Sequence, residues 1–132
     1  MKPSIRYGLV GIGALGALSL LHWGRKQQYA GPEIILYLMG VLPNVAAAIA
    51  IPFVFLGIWA DQKPAASYQA ARRRFTALAL VAGTGLIAWE FMQQSSRSLV
   101  FDPYDIGATI IGLFMAWVLF VVLTPLSNAT KS

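Results

Sequence analysis

The chain has 132 residues, of which 58% are hydrophobic and only 11% are charged, with a net charge of +5. A soluble domain carries about 25% charged residues, so this composition excludes an ordinary soluble domain and indicates an integral membrane protein. The absence of cysteine excludes disulfides and thiol chemistry, and the single histidine excludes a histidine-rich metal site.

Four runs along the chain are apolar enough for membrane-spanning helices, which need about 20 apolar residues. We predict spans at about 7–23, 44–60, 75–92 and 106–123. The first run follows a basic start, as in a signal peptide, but no small-x-small cleavage site follows it, so we expect a retained helix. The spans predict an all-α fold, a four-helix transmembrane bundle that forms one domain over residues 1–132.

The second apolar run, 34–60, is too long for one upright helix, and it contains Pro43 and Pro52. Proline removes a backbone donor and clashes with the preceding turn. We therefore predict a break near Pro43-Asn44, with an interfacial or re-entrant segment at about 33–42 and a crossing kinked at Pro52. One long tilted helix is the alternative.

Basic residues are distributed unequally between the two sides of the predicted bundle. One side holds seven: Lys2, Arg6, Lys63, Arg72, Arg73, Arg74 and Lys131. The other side holds three: Arg25, Lys26 and Arg97. This bias predicts a multi-pass protein of the cell membrane with both termini in the cytoplasm, and it explains the positive charge without nucleic acid as a partner.

Two glycine patterns are better explained by helix packing than by a ligand. Gly11-Ile-Gly13-Ala-Leu-Gly16 spells a dinucleotide-binding motif, but that motif requires a preceding strand, and here it lies inside a predicted membrane helix. We interpret Gly13 and Ala17 as a small-xxx-small packing pair. A similar stripe in the fourth helix consists of Ala108, Gly112 and Ala116. No cofactor is predicted.

Polar residues cluster where the third span ends and the fourth begins. The end of the third span carries four with helical spacing: Glu90, Gln93, Gln94 and Arg97. The start of the fourth carries Asp105, Thr109 and Gly112 on one face. The connection between the spans is short, so the two helices are expected to be antiparallel neighbours whose polar faces meet near the outer surface.

The aspartates of this cluster have a structural explanation, whereas Glu90 has none. Asp102 can cap the fourth helix, Pro103 can be its first residue, and Asp105 suits the positive end of the helix dipole. Glu90 precedes the polar loop by about two helical turns, which places an acid below the membrane surface. An ionisable residue at that depth is a functional hypothesis by default, and Arg97 is its nearest candidate partner.

These residues together define a candidate ligand-binding site without a metal. Its predicted members are Glu90, Gln93, Arg97, Asp105 and Thr109, with Asp102 and Pro103 as structural capping residues. The sequence contains no nucleophile paired with a histidine base and no metal-ligand set beyond scattered carboxylates, so no catalytic residue is predicted.

Glu90-Phe-Met-Gln93, Arg97, Asp102-Pro-Tyr-Asp105 and Gly112 follow one another over about 25 residues. In this order they resemble VanZ-like membrane proteins, which have E-x-x-Q, an arginine, D-x-x-D and N-x-x-G. Thr109 stands where that family has its asparagine. The resemblance implies a small helical protein of the cell envelope, with an outward-facing polar site for a lipid or an envelope precursor.

Three functions follow from these expectations. The first is a non-enzymatic envelope protein that binds a lipid headgroup or an envelope precursor at the polar site. The second is a small proton-coupled transporter that works as an oligomer. The third and least favoured is a membrane enzyme acting on a lipid-linked substrate, with Glu90 or Asp105 as general base. Membrane lipids are the expected partners, and a homo-oligomer is left open.

Overall fold

The computed structural model describes residues 2–27, 31–94 and 103–124. All regular structure in these ranges is helical, which confirms the predicted all-α fold. The four helices are α1 (Pro3–Lys26), α2 (Glu33–Gln62), α3 (Tyr68–Gln94) and α4 (Pro103–Leu123).

Each of the four helices is long and apolar enough to cross a membrane. The candidate spans are Pro3–Gly24, Glu33–Gln62, Tyr68–Met92 and Tyr104–Leu123. Large apolar side chains remain on the outside of the bundle: Leu20 is 70% exposed, Val81 71% and Val122 74%. Lipid rather than water is the solvent that suits such a surface. The chain is therefore a multi-pass membrane protein.

The predicted break near Pro43-Asn44 is wrong, because α2 runs without interruption from Glu33 to Gln62. Pro43 and Pro52 both lie inside the helix and are buried. Membrane helices tolerate proline because neighbouring helices and local adjustments satisfy the freed backbone groups. The stretch 33–42 is the first part of α2. Within it, Tyr37 contacts Tyr104 of α4 edge-to-face, with ring centroids 5.9 Å apart. The single long helix is the observed form.

α2 is the central helix of the bundle and packs against the other three. Its partner α1 is antiparallel to it, since Gly11 approaches Val54 and Gly57 approaches Gly8. α4 runs parallel to α2 and approaches it at Gly112, where a Cβ atom would lie 2.8 Å from the carbonyl oxygen of Val45. Within the described ranges α1 and α3 make no contact.

The small-residue predictions have opposite outcomes on the two helices. Ala108, Gly112 and Ala116 of α4 are all buried, which confirms that stripe as a packing surface. Gly13 and Ala17 of α1 are exposed, so this pair does not pack against the other described helices of the chain, and packing against another chain stays a prediction. Gly11 packs against α2 instead, and Gly13 points elsewhere because two residues turn a helix by about 200°.

Four aromatic rings pack together inside the half of the bundle where α1 and α3 begin and α4 ends: Tyr7, Phe53, Phe75 and Phe120, none more than 2% exposed. The rings of Phe75 and Phe120 stack with centroids 4.7 Å apart, and Tyr7 lies 6.1 Å from Phe53. Offset and tilted ring pairs of this kind add to the energy of simple burial. The rings come from all four helices and therefore hold the whole bundle together.

Charge differs between the two ends of the bundle. The basic end carries Lys2, Arg6, Lys63, Arg72, Arg73 and Arg74, together with Asp61. The acidic end carries Glu33, Glu90 and Asp105, together with Arg25 and Lys26. The candidate site predicted from the sequence lies at the acidic end.

Candidate functional site at the acidic end

Glu90 lies four residues before the end of α3, inside the candidate span Tyr68–Met92. Its side chain is only 3% exposed, so it faces the interior of the protein. Its neighbours Trp89, Phe91 and Met92 are all more than half exposed. A carboxyl group placed toward lipid would be costly, and intramembrane acids accordingly face the interior of a bundle. The acid is therefore directed into the site by the orientation of α3.

The register of α3 against α4 brings Glu90 level with the start of α4. Gly83 faces Leu113, and Phe75 stacks on Phe120, so the two helices are antiparallel. Seven residues beyond Gly83 is Glu90, and seven residues before Leu113 is Ile106, next to Asp105. The two carboxylic acids that the sequence places on different helices therefore lie at the same height in the bundle.

The start of α4 is tied to α2 by a hydrogen bond from an amide side chain. Asn44 of α2 donates from Nδ2 to the backbone oxygen of Asp105 over 3.4 Å. Thr109 donates from Oγ1 to the same oxygen over 3.0 Å. These two donors fix the first turn of α4 beside α2, and the half-buried Asp105 is carried on that turn.

Thr109 is completely buried, with 0% of its surface exposed. Its hydroxyl bonds the carbonyl one turn earlier in its own helix, a common way for threonine to be satisfied in a membrane helix. In this arrangement Thr109 supports Asp105 from below. Its predicted contact with a ligand stays a prediction.

The remaining predicted site residues are placed only in part. Arg97 and Asp102 lie outside the described residues, and so does the side chain of Gln93. α4 begins at Pro103, the position that the sequence predicts for its first residue. The structure therefore places Glu90, Asp105 and Thr109 at the acidic end of the bundle. The roles of Gln93 and Arg97 stay predictions.

Sequence reasoning missed Asn44 as part of this site. The residue was considered only for its place after Pro43, in a segment expected to break. An amide inside an otherwise apolar span is itself a signal, because such side chains bond across helices in membranes. Naming its partner requires the packing of α2 against α4.

The described part of this site offers hydrogen-bonding and electrostatic chemistry. Its two acids, Glu90 and Asp105, can accept hydrogen bonds from amines or hydroxyls, and the positive end of α4 favours a carboxylate at Asp105. No group of three or more metal-ligating side chains occurs among the described residues. The arrangement suits the binding of a polar group at the membrane surface.

Comparison of the chain with protein-family models, with curated proteins and with solved structures finds no match. The resemblance to VanZ-like proteins therefore rests on the motif residues of the sequence alone.

Proposed function

We propose that this chain is a VanZ-like membrane protein of the cell envelope whose polar site at the acidic end binds the headgroup of a lipid or a lipid-linked envelope precursor. Both termini lie in the cytoplasm, so the site faces outward. The proposal is of a binding protein and assigns no catalytic step.

The observation that carries the proposal is the burial of Glu90. An acid that is 3% exposed inside a membrane span must be matched by polar surroundings, because isolation in lipid is unfavourable. Helix capping does not require an acid four residues before the end of α3. A polar headgroup at the membrane surface would add to the polar surroundings of this acid.

Charge distribution supports the outward orientation. Of the described basic residues, six lie at the basic end, whereas only Arg25 and Lys26 lie at the acidic end. Lysine and arginine are retained on the cytoplasmic side during insertion. On this proposal the basic end is cytoplasmic, and the end of the bundle that carries Glu90 lies on the side of the outer leaflet.

The proposed roles follow the chemistry of each side chain. Arg97 contacts the phosphate of the headgroup, since guanidinium and phosphate form strong charge-assisted hydrogen bonds. Glu90 and Gln93 accept or donate hydrogen bonds to the rest of the headgroup and orient it. Asn44 and Thr109 hold the turn that carries Asp105 through their bonds to its backbone oxygen.

The test is to measure the lipid that purifies with the protein. We expect wild type to retain a lipid or lipid-linked precursor that Glu90→Ala and Arg97→Ala lose, because each variant removes a polar contact with the headgroup. Native mass spectrometry reports both the lipid and the number of chains. Glu33→Ala is the matched control, since Glu33 is an exposed acid at the same end of the bundle.

Equal retention by wild type, Glu90→Ala and Arg97→Ala would contradict the proposal. Equal losses in Glu90→Ala and Glu33→Ala would also contradict it, because the total charge of the acidic end, and not the buried acid, would then determine binding.

A proton-coupled transporter acting as an oligomer is the second candidate, favoured by the same buried acid within a span. The three buried rings of Phe53, Phe75 and Phe120 pack against one another inside the bundle, which disfavours a pathway through one chain. A pathway would then have to lie between chains. Proton-linked flux into liposomes that Glu90→Gln abolishes would favour this candidate over the binding protein.

A further inference from the structure

A cavity of about 200 Å³ lies at the basic end, opposite the site of Glu90. It is enclosed by the first residues of α1, the last residues of α2, the connection 63–67, the first turn of α3 and the residue after α4. Two of its lining residues, Tyr7 and Thr124, are buried, and their hydroxyl groups form a hydrogen bond of 2.7 Å. Parts of α1, α2 and α3, with the residue after α4, thus line one recess whose walls are partly polar and mostly apolar.

The cavity lies at the end of the bundle where the candidate spans of α1 and α3 begin. Its lining includes Pro3, where the span of α1 begins, and Tyr68, where the span of α3 begins. Trp59 and Tyr68 are aromatic side chains of the type that accumulates at the membrane–water boundary. A lipid in the adjacent leaflet can therefore reach the cavity with its headgroup while its acyl chains stay beside the bundle.

The charges around the cavity favour an anion. Its lining carries the exposed amines of Lys2 and Lys63, against one carboxylate, that of Asp61. Arg74 stands beside it, with its guanidinium carbon 5.6 Å from the centre of the Trp59 ring. Basic residues next to a membrane span attract anionic lipids.

The direction of two helices and a hydroxyl group at the cavity also favour an anion there. The N-terminal ends of α1 and α3 both border the cavity, at Ser4 and Tyr68, and helix N-termini attract anions. Ser67 also borders the cavity and caps α3, accepting the backbone N–H of Ala70 over 3.1 Å. The volume is below the range of about 300–1,000 Å³ that holds drug-sized ligands, so it suits a headgroup and not a larger molecule.

We propose that this cavity binds the phosphate headgroup of an anionic phospholipid from the leaflet at the basic end. Lys2 and Lys63 contact the phosphate, and the apolar part of the lining, which includes Pro64 and Ala66, covers the glycerol region. The site is separate from that of Glu90 and lies on the opposite face of the membrane. It does not depend on the proposed function, and either can fail alone.

The test compares two double variants that remove the same charge. Purified protein in detergent is titrated with phosphatidylglycerol or phosphatidylcholine, and bound lipid is measured by native mass spectrometry. We expect Lys2→Ala/Lys63→Ala to weaken phosphatidylglycerol binding by about tenfold or more, since it removes both charged donors that contact the phosphate. Arg72→Ala/Arg73→Ala removes two exposed charges outside the cavity and should weaken it far less.

A second pair of variants changes volume without changing charge. Ala66 lines the cavity and is half-buried, whereas its neighbour Ala65 is exposed and does not line it. Ala66→Leu should fill the cavity and weaken phosphatidylglycerol binding, and Ala65→Leu should not. This pair decides the question if the lysine variant does not fold.

Four results would overturn the proposal. Equal losses in the two double variants would show that overall charge attracts the lipid. Equal binding of phosphatidylcholine and phosphatidylglycerol, or unchanged binding in Ala66→Leu, would remove the anionic site from the cavity. Displacement of the lipid by inorganic phosphate or glycerol phosphate at concentrations similar to those of the lipid would show that a free anion, and not a lipid, is the ligand.

Discussion

Glu90 shows how far a single residue can be understood from its position in the sequence. An acid two turns inside an apolar run is unexpected in a membrane span, and the sequence alone directs attention to it. The direction of its side chain depends on the rotation of α3 in the bundle. In the structure Glu90 is 3% exposed and therefore faces the interior. The contribution of Asn44 to this site was not predicted, because the hydrogen-bond partner of an amide in a span depends on which helix packs beside it.

At the opposite end, Tyr7 and Thr124 form a residue pair with a measurable energy. Their hydroxyl oxygens are 2.7 Å apart and buried, and they join the start of α1 to the residue after α4. We expect Tyr7→Phe and Thr124→Val to be coupled in a double-mutant cycle by about 0.6 kcal/mol, the average for hydrogen bonds between membrane helices, and by no more than about 1.7 kcal/mol. Unfolding by denaturing detergent in mixed micelles gives the free energies.

A coupling energy indistinguishable from zero would contradict this hydrogen bond as a stabilising contact. The matched comparison is Tyr68→Phe, which removes a phenol from a half-buried tyrosine at the same end of the bundle. Combined with Thr124→Val, it should show no coupling if the pair is specific.

Helix α2 shows what a sequence rule for one element cannot decide. Proline inside a run predicts a break because the lost donor and the steric clash act within a few residues. Packing acts over the whole element, and α2 lies against three other helices along its length. At 30 residues and about 1.5 Å each, α2 is longer than the hydrocarbon core is thick, so it spans with tilt or extends into the headgroups.

The contact between α2 and α4 depends on one glycine. A Cβ atom at Gly112 would lie 2.8 Å from the carbonyl oxygen of Val45 and 2.9 Å from its Cα, and neither backbone atom can yield without moving the helix. We expect Gly112→Ala to destabilise the protein by about 1–3 kcal/mol, the usual cost of overpacking. The same unfolding measurement reports it.

Gly107→Ala is the control on the same helix, because nothing lies within 4 Å of the Cβ position at Gly107. It should be neutral or slightly stabilising, since alanine is the better helix former. Equal effects of the two substitutions would show that helix propensity, and not the approach of α2, determines the result.

For the whole molecule, the number of helices could be predicted from the sequence, whereas the residues that meet at each end of the bundle could not. Four apolar runs indicate four helices, and basic residues indicate which side each connection takes. The cavity at the basic end is assembled from residues as far apart as Lys2, Lys63 and Thr124, which no local pattern brings together. The packing around the central helix α2 brings them there.

Labelling of single cysteines tests most directly the proposal that the polar site of Glu90 faces outward. The chain has no cysteine, so Gln27→Cys at the acidic end and Ala65→Cys at the basic end each provide one exposed thiol. In intact cells we predict that a membrane-impermeant maleimide labels position 27, and that position 65 is labelled only after permeabilisation. Labelling of position 65 in intact cells, with position 27 protected, would contradict the outward-facing site.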